Sequence, residues 1–398
     1  MLRMNKNAPT LDSIDQLRKR FPCEKEIDRI LMRKLQRRSG SGYSPISLET
    51  LVKGTEKLIR SEVTDRFEIT EAKWLSGGAS KLQMSFKLDW SATGRGQSAT
   101  SMVLRMEPSE SISESSRLRE FQIIKALADV VPVPPAYWVD HTARFLPYPA
   151  IVYGFADGVA KPSTSANVVS GVGTFIPLSL REILGSQFVK HLARIHSFDW
   201  SRSDISAFDK PARAIQAVEW ELNHWERVWE EDANEDIPLM RLAMSWLRSN
   251  MPSVDHVSVV HGDYRTGNFL FTEHDAKISA WLDWEMAYLG DRHADLAWAT
   301  NRLLGHMAED HKTFLAGGFL PREEFFAAYE KASGMAVIPK TLKFYDIFGS
   351  YKIVVICLAT GYRAPRNGKT HQDVLVAWLA GISYSLLEDL RIKLEAVL

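Results

Sequence analysis

The stretch from Val257 to Asp295 constrains the fold of this chain more than any other. The β-branched run 257–260 leads into the polar turn His261-Gly262-Asp263, and Asn268 follows five residues after that aspartate. A second apolar run ends on Asp283, fifteen residues after Asn268. Because strands are rigid, strands flanking a loop can present two carboxylates and one amide from the same side. The spacing therefore predicts a polar functional site.

These residue types match the chemistry of phosphoryl transfer. One carboxylate orients the attacking hydroxyl, while oxygen ligands hold Mg²⁺ against the phosphates of a nucleotide. We assign the first role to Asp263 and the metal to Asn268 and Asp283. The alternative is a structural Asx-turn at Asp263. It leaves Asn268 and Asp283 unexplained.

Three segments carry a resemblance to a known family: residues 261–268, 282–285 and 290–297. They resemble the aminoglycoside phosphotransferase and choline kinase-like superfamily, whose fold is similar to that of protein kinases. The resemblance extends from about Phe67 to the end of the sequence. It departs from the family pattern at Arg292, where proline is usual, so we expect that turn to differ in shape.

The resemblance implies an α+β, bilobal protein kinase-like fold. We expect a small antiparallel β N-lobe with one helix over residues 66–155 and a larger, mainly helical C-lobe over 156–398. Leu and Ile recur every three to four positions in residues 11–35, which predicts a helical N-terminal extension over 1–65. The segments from Pro211 to Asn250 and from Asp295 onward also have helical patterns.

The expected N-lobe begins with a glycine-rich loop and a strand. Apolar residues alternate with polar ones from Lys81 to Asp89, the period of a half-buried strand. The loop before it contains Gly77, Gly78 and Ser80, which we assign to the phosphates of ATP because missing side chains let backbone N–H groups approach an anion. An ordinary turn is the alternative.

Arg105 and Glu120 are expected to form an ion pair at the nucleotide site. Arg105 ends a β run at the position where related kinases carry a lysine for the phosphates, as the resemblance implies. Glu120 shares a predicted helix face with Ile123, Ile124 and Leu127, and a carboxylate on an apolar face needs a cation. An unpaired, exposed Glu120 is the alternative, and Arg117 and Arg119 are also nearby.

The end of the N-lobe is expected to hold the base of the nucleotide. The resemblance implies that residues 149–155 form its last strand and a hinge, where the backbone of Val152 and Tyr153 would meet adenine. A helix should follow at Ser179, because Ser179 and Glu182 match a capping box.

Composition excludes several other classes of protein. The 49 basic residues balance 49 acidic ones, which argues against a general role in binding nucleic acid or a membrane surface. The two cysteines argue against a disulfide scaffold and against a cysteine metal site, and fit the cytoplasm. No secretory signal or membrane-spanning run is recognisable. We expect a cytoplasmic enzyme.

The sequence favours an ATP- and Mg²⁺-dependent kinase that phosphorylates a hydroxyl of a small molecule. An antibiotic phosphotransferase is the first alternative, since residues 219–236 hold eight acidic side chains suited to a polycation. Their helical spacing instead predicts that these acidic residues form a helix face beside a buried apolar stripe. A regulatory pseudokinase is the second alternative, and the presence of Asp263, Asn268 and Asp283 argues against it.

Overall fold

The computed structural model describes most of the chain. The described residues are 5–75, 81–91, 97–165, 173–368 and 381–398. The residues predicted for the phosphate loop, Gly77, Gly78 and Ser80, lie outside these ranges.

An antiparallel sheet of five strands forms the first part of the fold. The strands are β1 (Phe67–Trp74), β2 (Leu82–Ser91), β3 (Gln97–Met106), β4 (Ala136–Asp140) and β5 (Ala150–Gly154). Their order in the sheet is β1-β2-β3-β5-β4. The predicted alternation in β2 is confirmed, because Leu82, Met84, Phe86 and Leu88 are all buried.

Three helices precede this sheet. They are α1 (Leu11–Arg20), α2 (Lys25–Arg37) and α3 (Leu48–Glu62). Helix α3 shares a hydrophobic core with the sheet, to which it contributes Leu51, Leu58 and Ile59. Helix α2 instead contributes Ile30 and Leu31 to the larger core of the helical part of the molecule. The N-terminal helices therefore pack on both parts of the fold.

Helices dominate the rest of the molecule. They are α4 (Arg117–Ala126) between β3 and β4, and then α5 (Leu178–His196), α6 (Ala214–Asp232), α7 (Pro238–Ser249), α8 (His293–Ala299), α9 (Arg322–Ser333), α10 (Pro339–Val354), α11 (Gly361–Arg366) and α12 (Ser383–Glu395). A π-helical segment, Val355–Thr360, joins α10 to α11. The α+β class, with a small antiparallel sheet and a larger helical part, is confirmed.

Short strands interrupt the helical part. They are β6 (Val257–Val260), β7 (Phe269–Thr272), β8 (Lys277–Trp281), β9 (Tyr288–Asp291), β10 (His306–Met307), β11 (Phe314–Ala316) and β12 (Leu320–Pro321). Strand β6 pairs with β9, β7 pairs with β8, and β10 to β12 form a small sheet of their own. The helical pattern expected after Asp295 therefore does not hold over residues 306–321, although the larger part of the fold is mostly helical.

The predicted start of α5 is also wrong. The helix begins at Leu178, and Pro177 occupies the N-cap position without a side-chain hydrogen bond. Ser179 therefore lies within the first turn rather than at the cap. In the described part of the chain, no helix is both long enough and apolar enough to span a membrane.

The half-buried imidazole of His191 on α5 contacts Trp281, at the end of the strand that leads to Asp283. Its Nδ1 accepts a hydrogen bond from the Trp281 indole N–H at 3.0 Å. Burial, together with the charge of Arg194, lowers the pKa of His191 to about 4. The folded protein therefore holds a neutral imidazole that the unfolded chain would protonate.

We expect His191 to make stability depend on pH. Since the pKa is lower in the folded state, the unfolded chain binds more protons between about pH 4 and pH 6.5, so stability falls as pH falls through this window. His191→Gln should flatten the decline by an amount on the order of 1–3 kcal/mol. Urea unfolding at pH 4.5 and pH 7.5 measures the difference in the free energy of unfolding between the two pH values. His274 is exposed, so His274→Gln is the control variant. An equal dependence of the unfolding free energy on pH in the wild type and both variants would contradict the assignment.

Candidate active site

The backbone conformation of the loop after β6 requires a glycine at position 262. Gly262 has φ +83°, and a Cβ at this position would collide with the backbone carbonyl of Met286. Residue 262 must therefore lack a side chain for the loop to lie against the segment after β8.

The Asp295 carboxylate anchors this loop from α8. It accepts hydrogen bonds from the backbone N–H groups of His261 at 2.7 Å and Gly262 at 2.9 Å. The His196 Nε2 atom lies 3.3 Å from the same carboxylate, and its Nδ1 atom lies 2.8 Å from the Tyr329 hydroxyl. Burial raises the pKa of Asp295, but the His196 hydrogen bond and nearby charge outweigh it and lower the pKa below its usual range. Asp295 is thus an ionised brace for the loop.

Asp263 lies on the loop with its carboxylate held by several donors. The Trp298 indole N–H donates to it at 2.7 Å, and the Asn268 amide donates at 2.6 Å. Arg265 Nε donates at 3.0 Å to the same group. The side chain remains 16% exposed. Asp263 is therefore fixed in direction and still open to an incoming molecule.

Backbone contacts place Asn268 next to the Asp283 segment. The Leu282 N–H donates to the Asn268 carbonyl at 2.8 Å, and His261 Nε2 lies 3.0 Å from the Leu282 carbonyl. Asp283 itself adopts a left-handed conformation, with φ 66° and ψ 42°. Such a conformation is uncommon outside glycine and asparagine and occurs often at functional sites. The structure thus brings Asp263 into contact with Asn268, and a backbone hydrogen bond joins Asn268 to Leu282, the residue before Asp283.

Arg105 connects the sheet to this loop. Its Nη1 atom donates to Glu120 at 2.9 Å, so the predicted ion pair is present and the unpaired alternative is excluded. Its Nη2 atom donates to Asp283 and, at 3.1 Å, to Glu285. Glu120 also pairs with Arg117, which the sequence left as a second partner.

Lys81 is a site residue that the sequence analysis missed. The alternation in β2 placed it on the polar face, but it is 1% exposed. Its Nζ atom lies 3.0 Å from a Glu107 oxygen and 3.3 Å from a Glu285 oxygen. The signal available in the sequence was its position directly after the glycine-rich loop.

Glu285 lies at the centre of a buried cluster of charges. Its carboxylate faces Lys81, Arg105 and Arg117, each within 3.3 Å. Burial raises the pKa of Glu285, but these three cations outweigh that effect and lower it to about 2. Glu285 is therefore ionised and anchors three cations, so it is not a surface group.

Val152 and Tyr153 lie within β5, which pairs with β3 on one side and β4 on the other. Their backbone groups are therefore engaged in the sheet and do not form the hinge that the resemblance implied. The Gly154 N–H donates to Pro135 and the Phe155 N–H to Ser101, so the sheet continues to that point. A backbone segment that contacts the base of a nucleotide would therefore have to follow Phe155.

Arg292, the departure from the family pattern, does not distort its turn. Its φ of −53° is a value that proline also adopts. The guanidinium is buried, pairs with Asp255 and donates to the Ala336 carbonyl at 2.8 Å. The neighbouring Asp291 accepts from the N–H of His293, the first residue of α8, at 2.9 Å. The arginine at position 292 therefore requires no change of the backbone that proline would adopt.

The donors in this site suit Mg²⁺. Asp283 offers carboxylate oxygens, and the amide nitrogen of Asn268 is engaged by Asp263, which leaves its amide oxygen as the ligand atom. Mg²⁺ prefers oxygen and commonly takes only one or two protein groups beside phosphates and water. In the described ranges, no group of three or more His, Cys, Asp or Glu side chains is arranged to hold a metal ion.

Comparison with known proteins identifies the family. Residues 85–338, more than half of the chain, match the model of the phosphotransferase enzyme family known as APH. The chain therefore belongs to this phosphotransferase family.

Two longer proteins are among the relatives. The chain is 28% identical over 267 residues to mouse acyl-CoA dehydrogenase family member 10, which covers 64% of this chain and 24% of that protein. It is 27% identical over 209 residues to human acyl-CoA dehydrogenase family member 11, which covers 49% of this chain and 24% of that protein. The chain thus spans about a quarter of the length of these relatives.

Solved structures show the same fold at low identity. A Ralstonia eutropha protein named for the aminoglycoside phosphotransferases has a TM-score of 0.61 at 21% identity, over 87% of this chain and 98% of that one. Macrolide 2'-phosphotransferase type I has a TM-score of 0.51 at 17% identity, over 87% of this chain and 99% of that one. These similarities confirm the bilobal kinase-like fold.

We expect Asp295→Asn to destabilise the protein by about 1–3 kcal/mol, because one amide cannot accept both loop N–H groups and one buried donor loses its partner. Urea unfolding measures the change. Asp310→Asn is the matched control, since Asp310 also accepts two backbone N–H groups at 2.9 Å but is exposed. A loss no larger than that of the control would contradict the bracing role.

Proposed function

We propose that this protein is an ATP- and Mg²⁺-dependent phosphotransferase that moves the γ-phosphate to a hydroxyl of a small molecule. The observation that carries the proposal is the fixed, partly open Asp263 carboxylate, whose amide neighbour Asn268 adjoins the Asp283 segment. Phosphoryl transfer depends mainly on positioning and electrostatic stabilisation. Family membership supports the reaction class.

In this mechanism Asp263 accepts the hydrogen bond of the acceptor hydroxyl and takes its proton. The acceptor oxygen forms a bond to the γ-phosphorus as the bond from that phosphorus to the β–γ bridging oxygen breaks, and ADP leaves. The Trp298 and Asn268 donors keep the carboxylate aimed at the acceptor. Asn268 and Asp283 would hold Mg²⁺, which neutralises phosphate charge when bound.

Arg105 would bind the phosphates of ATP. Its guanidinium is already placed by Glu120, and its second nitrogen contacts Asp283. If Asp283 bound a metal ion, this nitrogen would be able to donate to a phosphate oxygen. The Glu285 carboxylate also holds Arg105 in place, and it is itself held by Lys81 and Arg117.

The structure favours an acceptor other than a polycationic antibiotic. Several acidic residues at the end of α6 are already paired within the protein. Glu226 pairs with Arg248, Glu231 with Lys34, and Asp232 with Lys34 and Arg38. These carboxylates are not free to bind the amines of an aminoglycoside. The regulatory pseudokinase is disfavoured because Asp263, Asn268 and Asp283 are all present in the chain.

We expect Asp263→Asn to lower kcat by about 10²–10⁴, the value of one positioned general base. The KM for ATP should change by less than about threefold, since Asp263 contacts the amide nitrogen of Asn268 and not the oxygen assigned to the metal. Transfer from labelled ATP to a panel of hydroxylated metabolites measures both. Asp275→Asn, on the exposed turn between β7 and β8, is the control. Wild-type kcat in Asp263→Asn would refute the assignment.

We expect Arg105→Ala and Glu120→Ala to raise the KM for ATP non-additively. Arg105→Ala should cost about tenfold or more, the value of a hydrogen bond to a charged group, and Glu120→Ala should cost less because it acts through Arg105. The double variant should resemble Arg105→Ala alone. The control combines Arg105→Ala with Asp346→Ala, whose carboxylate pairs with Arg322, and the two effects on the KM for ATP should add. Strict additivity of Arg105 and Glu120 would show that they do not act together.

A further inference from the structure

The helices at the N-terminus contact α4 through two carboxylates at the start of α2. Glu24, the N-cap residue of α2, turns its carboxylate towards α4, where it accepts a hydrogen bond from Arg119 Nη1 at 2.7 Å. Glu26, in the first turn of α2, accepts a hydrogen bond from the hydroxyl of Ser116, the N-cap residue of α4. The beginning of α2 therefore holds the beginning of α4.

Arg119 also contacts the segment that follows Asp283. Its Nη2 atom donates a hydrogen bond to the Ala287 carbonyl at 3.0 Å. The Ala287 N–H donates to the Trp284 carbonyl at 3.1 Å, so residues 284–287 form one closed turn. Arg119 therefore holds the far end of the turn that begins directly after Asp283.

Two neighbouring residues of α4 hold the two ends of this turn. Glu120 acts at its beginning, through the arginine that pairs with Asp283, and Arg119 acts at its end. Between these points, the Met286 carbonyl lies against Gly262 on the proposed catalytic loop. A shift of α4 would therefore move the turn, and with it the proposed metal ligand, relative to that loop.

The pair of Glu24 and Arg119 contributes orientation more than stability. Both side chains are buried, with exposed fractions of 5% and 4%. Burial raises the pKa of Glu24, and the charge of Arg119 offsets only part of this change. A buried ion pair is often no more stabilising than apolar side chains of the same size. The hydrogen-bonded carboxylate does, however, give the long arginine side chain one defined direction.

We propose that Glu24 is a positioning residue for nucleotide binding, which acts through Arg119 on the turn that follows Asp283. The proposal rests on the proposed function, because it assigns Asp283 to the metal that accompanies ATP. It makes the N-terminal helices part of the support of the active site. Without the Glu24 carboxylate, the turn adopts its binding arrangement for a smaller fraction of the time, and the apparent affinity for the nucleotide falls by that fraction.

Two measurements on Glu24→Ala test the proposal. Hydrogen exchange of the backbone N–H groups of residues 284–291 should become faster in the protein without nucleotide, because local opening of the turn becomes easier. The dissociation constant of Mg·ATP, measured by calorimetry, should rise about threefold or more, as expected for coupling through a packed network. Glu24→Gln keeps an oxygen that can accept from Arg119, so it should show the same changes at smaller size.

Asp28→Ala is the matched control. Asp28 lies one turn further along α2 and pairs with the buried Arg227 of α6 at 2.7 Å. This variant also takes a carboxylate from a buried arginine, so it should lower the melting temperature. It should keep the wild-type exchange at residues 284–291 and the wild-type affinity for Mg·ATP. In a double-mutant cycle, Glu24→Ala combined with Arg119→Met should bind Mg·ATP no more weakly than Arg119→Met alone.

The outcomes separate this proposal from the proposed function. Unchanged exchange at residues 284–291 in Glu24→Ala, an equal change in Asp28→Ala, or strict additivity with Arg119→Met would each overturn the positioning role. Phosphate transfer by the wild type with unchanged Mg·ATP affinity in Glu24→Ala would keep the kinase function and refute that role. Faster exchange in Glu24→Ala, with a wild type that neither binds Mg·ATP nor transfers phosphate, would refute the kinase function and keep the attachment of the turn. Should Glu24→Ala fail to fold, the same comparisons apply to Glu24→Gln.

Discussion

The ionised Asp295 carboxylate is the interaction on which the candidate active site depends. It satisfies two successive backbone N–H groups at the start of the loop, where a strand ends and regular pairing stops. Buried backbone donors need such partners. Because the loop is fixed at His261 and Gly262, the next residue, Asp263, projects in a defined direction. Helix α8 thus supplies both the brace and, through Trp298, a donor to Asp263.

A second constraint is the buried charge cluster that joins the sheet to the loop. Lys81 and Arg105 come from the sheet side, Glu120 and Arg117 from α4, and Glu285 from the segment after β8. Buried charges are tolerated only when paired and hydrogen-bonded, so these groups hold one another in place. The cluster therefore couples the position of Arg105 to that of Asp283. This arrangement suits a site that must bring nucleotide phosphates to a metal.

The sequence by itself determined the strand with clear alternation and the pairing of Glu120 with a cation, because each follows from local spacing or from an apolar helix face. From spacing alone it also predicted Asp263, Asn268 and Asp283 as site residues. Tertiary structure alone decided the burial of Lys81 and the pairing of Arg119 with Glu24, because their neighbours come from distant segments. It also decided that Val152 is enclosed in the sheet, since strand order depends on long-range pairing. Local patterns specify which elements form, whereas packing specifies which charges meet.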